Sequence, residues 1–271
     1  MKFNKYEVAL KLSKEGVGRK SVLEGLYNQH FINYTQEALE YREYLDRSGV
    51  GVISSDEESY PKFLKEINDY PLILFTKGDI SLLKSPMITV VGTRDISNYG
   101  KWAVRYILRP LIGKDIVVVS GLAKGIDGEV HKECLKNNIP TIGVVAGGID
   151  RGYPKSNKSI YDEIVRNGLV ISEFPPGRRI VKGMFPMRNR ILAGLSSATV
   201  VIESDLSGGS LITLDLALDY GRDIFCIPCN INRYSLQGCN MAIGEGAIPL
   251  LSGKQLLKYM QNRHRNRTTE S

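Results

Sequence analysis

The stretch IVVVSGLAKGID, residues 116–127, decides the fold. An unbroken β-branched run, Ile116 to Val119, passes directly into a glycine-bearing loop, Ser120 to Gly125, and then into residues with helical spacing. A run without polar alternation has no face to show to water. It predicts a strand buried on both sides, the setting of a parallel sheet. The same pattern recurs as ITVV at 88–91, IGVV at 142–145, LVIS at 169–172, TVVI at 199–202 and IFCI at 224–227. Helical stretches between the runs imply right-handed crossovers. The expected fold is therefore α/β: a Rossmann-like, doubly wound, mostly parallel sheet over residues 70–253. Ahead of it, residues 1–69 read as a small N-terminal all-helical domain, carried by KYEVALKL, GVGRKSVLEGLYNQ and TQEALEYREYLDR. Within it, GVGRKSVLEGL has the glycine turn of a helix-hairpin-helix or SAM-like module, which either meets DNA phosphate or simply packs. Residues 254–271 form a basic tail, read as loose.

The chain has 271 residues, 42% apolar and 24% charged, an ordinary globular composition rather than a disordered one. No apolar run approaches the roughly 18–20 residues of a membrane span. The first residues lack the apolar core of a signal peptide, so a cytoplasmic protein with no membrane partner is expected. Cys134, Cys226, Cys229 and Cys239 are the only cysteines. CIPC at 226–229 has redox or zinc spacing, but Cys226 lies inside an apolar strand-like run and no compact four-ligand set surrounds it. Reduced thiols, with no metal and no cofactor, are the expectation.

The net charge of +7 is unevenly placed. Residues 1–85 carry 12 basic and 13 acidic side chains, and the remainder carries 24 and 16. RRIVKGMFPMRNR, residues 178–190, holds five basic residues and no acid. Such a cluster attracts phosphate-bearing partners.

In a doubly wound sheet, ligands bind outside the carboxyl ends of the strands. The informative residues are thus Gly92-Thr93-Arg94, Ser120-Gly121 with Lys124, the segment from Ala146 to Lys155, and Ser207-Gly208-Gly209-Ser210. Glycine allows close backbone approach, and each following helix directs free N–H groups and its positive dipole end at the same crevice. Together they predict an anion pocket. The dinucleotide fingerprint G-x-G-x-x-G and the P-loop GxxxxGK[ST] are both absent, which disfavours a nicotinamide enzyme or an ATPase. Arg188 and Arg190 follow Phe185-Pro186, which predicts a helix start there. One of the two is expected to pair with Glu203 or Asp205 and the other to meet phosphate. Asp127, His131 and Glu203 invite an active-site reading, but no Ser-His-Asp order, carboxylate pair or metal cluster emerges. A non-enzyme is expected.

VVGTR…YG, SGLAKGID…H, GGID…YP, SEFPPG, FPMRNRILAGLS, VVIE…SGGSLIT…A…GR and IP occur in this order. The set resembles the DNA-processing protein A (DprA/Smf) family over about residues 70–250. The resemblance implies a single-stranded DNA-binding protein that protects incoming DNA and helps load the RecA recombinase during natural transformation, and that acts as a homodimer built through its Rossmann-like domain. It implies a basic pocket of Arg94, Lys155 and Lys182, with Phe185 against a base. Arg188, Asn189 and Arg190 stand beside it, and Ser120, Gly121, Lys124 and the loop Ser207, Gly208, Gly209 and Ser210 border it. The apolar stretch 214–228 is a candidate for part of the dimer contact. Two departures stand out: Pro228-Cys229 replaces the usual Pro-Gly, and the tail is too short for the winged helix that many members carry. The competing reading is a nucleotide-binding protein or nucleoside-monophosphate glycosidase of the lysine decarboxylase-like fold, although LSGGSLIT lacks that family's PGGxGT arrangement.

Overall fold

The computed structural model describes residues 3–15, 35–233 and 236–269. The glycine turn read at GVGRKSVLEGL lies outside the described residues. The chain opens with α1 (Lys5–Glu15) and α2 (Gln36–Arg47), then β1 (Gly51–Ser54), the short α3 (Lys62–Glu66) and β2 (Ile73–Gly78). A strand-helix alternation follows: β3 (Met87–Val91), α4 (Asn98–Leu108), β4 (Val117–Ser120), α5 (Ile126–Lys136), β5 (Thr141–Val144), α6 (Lys158–Asn167), β6 (Leu169–Ser172) and α7 (Met184–Leu195). It ends with β7 (Ala198–Val201), α8 (Gly209–Asp219), β8 (Asp223–Cys226), α9 (Gly238–Gly244), β9 (Ile248–Pro249) and α10 (Gly253–Thr269).

Among the described residues these strands form one nine-stranded sheet of order β1-β2-β6-β5-β4-β3-β7-β8-β9. From β6 to β9 every pairing is parallel, while β2 pairs antiparallel with both β1 and β6. Each apolar run read from the sequence is a strand within one or two residues of the expected place. The period-2 alternation of strand side chains sorts them to two cores. Met87, Val91, Val117, Val119, Leu169, Ile171, Val201 and Ile224 face α7 and α8, whose Leu192, Leu195, Leu214 and Ala217 cover them. Ile88, Val90, Val118, Val200 and Phe225 face α4, α5 and α10 through Val104, Ile107, Val130 and Leu256. The sheet is doubly wound because the crossovers change face at β3. From β3 the strand order proceeds one way to β6, then returns to β7 on the other side of β3. The loops leaving β3 and β7 therefore part, and their divergence opens a crevice at the carboxyl edge.

Two sequence expectations are revised. Residues 1–69 are not all helical, because β1 falls among them and pairs with β2 from Gly51↔Thr76 to Ser54↔Ile73. Val8 and Ala9 of α1 and Leu45 of α2 share one buried cluster with Val52, Ile73 and Phe75, so these helices pack directly onto the sheet. The strand GVIS escaped the reading because it is short and flanked by Ser and acidic residues. The basic tail is helical, not loose. Leu256 and Met260, one helical turn apart, are buried. Tyr259 meets the Phe225 ring edge-on at 5.0 Å and donates its hydroxyl to Asp223 at 2.6 Å.

His131 illustrates how an apparent catalytic residue becomes part of the frame. It lies on the buried side of α5 with no exposed surface, and its Nδ1 is 2.9 Å from Thr141 Oγ1. Burial disfavours the imidazolium and lowers the pKa to about 3. An unfolded chain binds that proton near pH 6.5. Between those two values the unfolded state holds more protons, so His131 lowers stability progressively as pH falls from about 6.5 toward 3 and has no such effect above 6.5. Urea unfolding followed by circular dichroism should show a midpoint that drops between pH 7 and pH 5, with a shallower drop for His131→Gln than for the wild type.

Candidate nucleic-acid interface

At the carboxyl edge, beside the divergence of β3 and β7, lies a hollow of about 490 Å³, a volume typical of ligand sites. Three structural pieces wall it. The β3 loop contributes Gly92 to Asp95, α7 contributes Phe185, Arg188, Asn189 and Leu192, and the start of α8 with the residue before it contributes Gly208, Gly209, Ser210 and Thr213. Lys182, just ahead of α7, completes one rim, and Ala123 and Asp127 contribute from the β4 side. The β3 and β7 loops are tied together where the Thr93 amide donates to the Glu203 carbonyl at 2.6 Å.

The floor is set by one buried guanidinium. Arg188 is 5% exposed. Its Nη1 donates to the Gly121 carbonyl and, at 3.2 Å, to the Val144 carbonyl. It thus joins the ends of β4 and β5. Asp127 faces it at 3.9 Å. Burial raises the Asp127 carboxyl above its ordinary value, against the pull of Arg188 and of the Ala123 and Gly92 amides. Burial likewise lowers the Arg188 guanidinium, opposed by Asp127. Two glycines make this packing possible. A Cβ on Gly121 would sit 1.6 Å from Arg188 Nη1. Gly125 has φ +77, and a Cβ there would lie 2.2 Å from the Thr93 carbonyl oxygen, so the β4 loop presses against the β3 loop only with glycine at 125.

Above this floor stand the ligand-facing groups. Arg94 is exposed, and its guanidinium carbon lies 5.4 Å from the centroid of the half-buried Phe185 ring, within cation–π range. Lys182 is exposed on the same rim. Gly208 precedes α8 and supplies no side-chain cap, so the amides of Gly209 and Ser210 and the helix's positive dipole end lie at the hollow. Asn189 reaches Gly209, donating from Nδ2 to its carbonyl at 3.4 Å. Ser210 is buried with its hydroxyl 2.8 Å from that of Ser204. Three carboxylates also line the hollow: Asp127, held by Arg188; Asp205, which accepts from the Thr93 hydroxyl at 3.5 Å; and the exposed Asp95. The groups there that could meet an anion are Arg94, Lys182 and the first amides of α8.

Of the residues singled out in the sequence, Arg94, Lys182, Phe185, Arg188, Asn189, Gly208, Gly209 and Ser210 converge on this hollow. Others stand apart. Ser120 is fully buried and donates to the Val90 carbonyl at 2.6 Å. Gly121 serves as packing surface for Arg188. Lys124, Lys155 and Ser207 are exposed on neighbouring loops, outside the lining. Arg190 points away. Its guanidinium donates to the Asp69 carbonyl and forms an ion pair with Glu173.

The expected pairing of one arginine with Glu203 or Asp205 is corrected: Arg188 faces Asp127, and Arg190 pairs with Glu173. Nor do the two sit at a helix start. α7 begins at Met184 and takes Phe185-Pro186 into its first turn, where proline is tolerated. Two residues apart on a helix, Arg188 and Arg190 then project to different sides. Glu203, the acid of the glycosidase reading, is buried outside the hollow. It accepts from the Ser97 amide at 3.0 Å and from the Ser97 hydroxyl, at the N-terminus of α4. The sequence reading missed Asn157, which ties its loop to the β4 end by donating to the Leu122 and Ala123 carbonyls at 3.0 and 2.9 Å. The only signal was its place in YPKSN.

Fold and hollow together define the class: a Rossmann-like protein with an anion-receptive crevice at its topological switch point and neither dinucleotide nor P-loop fingerprint. The chain belongs to the DNA recombination-mediator protein A family, whose pattern it matches over residues 51–261. It is 44% identical over 201 residues to DNA processing protein DprA of Streptococcus pneumoniae, covering 74% of this chain and 71% of that one. It is 38% identical over 225 residues to DprA of Bacillus subtilis, covering 83% and 74%. The solved S. pneumoniae DprA superposes with a TM-score of 0.83 at 36% identity over 95% of this chain and 98% of that one. DNA processing protein A from Helicobacter pylori, whose structure was described for its single-stranded DNA binding mode, gives 0.72 at 28% identity over 79% and 96%. No helix of the described residues is long and apolar enough to cross a membrane.

The buried Arg188–Asp127 pair yields a stability test. Removing one partner leaves a buried charge uncompensated, at a cost of about 3–5 kcal/mol, whereas replacing both with apolar residues is often nearly neutral. Arg188→Met should therefore lower urea-unfolding stability by at least about that amount, and adding Asp127→Leu should recover only the part owed to the stranded carboxylate, because the Gly121 and Val144 carbonyls stay without their donor.

Proposed function

We propose that this chain is a non-enzymatic binder of single-stranded DNA that grips the strand at the switch-point hollow without reading its sequence. The observation that carries the reading is the placement of Arg94 over the Phe185 ring on the same rim as Lys182. Sequence-independent binding of single strands needs phosphate neutralisation beside an aromatic face for a base. In this reading Arg94 and Lys182 neutralise successive phosphates, and Lys155 and Lys124 extend the cationic track over the neighbouring loops. Phe185 takes a base, and the amides of Gly209 and Ser210 donate to a phosphate oxygen. Arg188 and Asn189 hold the floor beneath them. The single-stranded DNA named for the H. pylori relative supports this assignment. Protection of incoming DNA, loading of RecA, homodimer formation and a place in natural transformation come with the family reading.

The binding test is a titration of fluorescent oligo-dT at two salt concentrations. Each phosphate contact on a single strand adds roughly 0.7 to the slope of log K against log salt. Changing Arg94, Lys155 and Lys182 together to Ala should weaken binding strongly and make that slope shallower by about 2. Phe185→Leu should weaken binding by about 1–3 kcal/mol while leaving the slope unchanged. Undiminished DNA retention by the triple variant would refute the pocket.

A further inference from the structure

Phe185 does not stand alone. Outside the lining of the hollow, the Tyr153 ring lies 6.1 Å from it, centroid to centroid, at an interplanar angle of 55°. Tyr153 is 52% exposed, and among the described residues its hydroxyl makes no hydrogen bond. The exposed part of the ring is open to a ligand that reaches Phe185. The tilt leaves a wedge between the two rings rather than a closed stack.

The loop that carries Tyr153 is pinned at both ends. At its start, Gly148 bridges to Phe174, and the Ile149 amide donates to the Phe174 carbonyl at 3.2 Å. The Tyr161 hydroxyl donates to the Ile149 carbonyl. At its end, Asn157 donates to the Leu122 and Ala123 carbonyls. Exposed Lys155 sits two residues past the ring. The ring is thus presented from a fixed frame, and a ligand meets it with little ordering cost.

We propose that Tyr153 is a second base-stacking residue, so that Phe185 and Tyr153, flanked by the cations Arg94 and Lys155, form one track along which a single strand leaves the hollow. This rests on the single-stranded DNA reading above. The strand passes its phosphates to Arg94 and Lys155 and lays neighbouring bases against Phe185 and Tyr153 in turn. Stacking is tolerant of sequence because every base has a π-face.

The test compares oligo-dT with an abasic deoxyribose-phosphate oligomer of the same length, by fluorescence anisotropy on the full chain, for the wild type, Tyr153→Ala and Tyr153→Phe. Tyr153→Ala should bind oligo-dT roughly 5- to 150-fold more weakly, the range that one base–aromatic stack carries. Its binding of the abasic oligomer and its salt dependence should not change, and Tyr153→Phe should restore wild-type binding of oligo-dT. Equal weakening toward both oligomers would mean that the ring merely supports its loop, and would overturn the proposal. Full retention of oligo-dT binding by Tyr153→Ala would overturn it too. A wild type that fails to bind oligo-dT would instead overturn the parent reading, an outcome that is visible before any variant is made.

Discussion

Arg188 joins the carboxyl ends of two adjacent parallel strands from within, and the floor of the site is arranged around it. A parallel sheet leaves its terminal carbonyls without sheet partners, and here the guanidinium fork takes those of Gly121 and Val144. Because the fork must come so close, position 121 tolerates no side chain. Because the fork is charged and buried, Asp127 must face it. The carboxylate in turn draws the Ala123 amide, which curls the β4 loop toward the β3 loop. A residue that the sequence suggested as a ligand contact thus acts mainly as a keystone, and the cations at the rim, Arg94 and Lys182, are those that no carboxylate among the described residues pairs with.

That division explains how much could be read beforehand. Strands buried on both faces must be apolar throughout, so the central sheet, its winding and its binding edge were legible from runs such as IVVV and TVVI. The glycine loops were legible because close backbone approach admits few other residues. The fate of individual arginines was not. Arg188 and Arg190 are separated by one residue, yet the phase of α7 decides which enters the hollow, and that phase depends on whether Pro186 stops the helix or joins its first turn. Glu203 was misread for a related reason: only the three-dimensional path of the chain reveals that Ser97 waits to receive its carboxylate.

The N-terminal region shows a second limit. A four-residue strand such as Gly51–Ser54 carries too little periodicity to stand out, and its identity becomes evident only through pairing with β2. Likewise, the spacing of Leu256 and Met260 was present in the tail but masked by the surrounding charge. In both cases tertiary burial, not local preference, settles the conformation.

The antiparallel placement of β2 against β6 has an architectural corollary. A run of parallel strands ends in a raw row of amides and carbonyls, a template for unwanted chain-to-chain stacking. Here the antiparallel pair of β1 and β2 closes that flank, and the helices α1 and α2 pack on the pair in turn through their shared apolar cluster. The front segment is therefore less an appendage than a lid on a sticky border. A fragment trimmed to the central repeat of strand and crossover would keep the hollow yet bare that border, and would trade solubility for brevity.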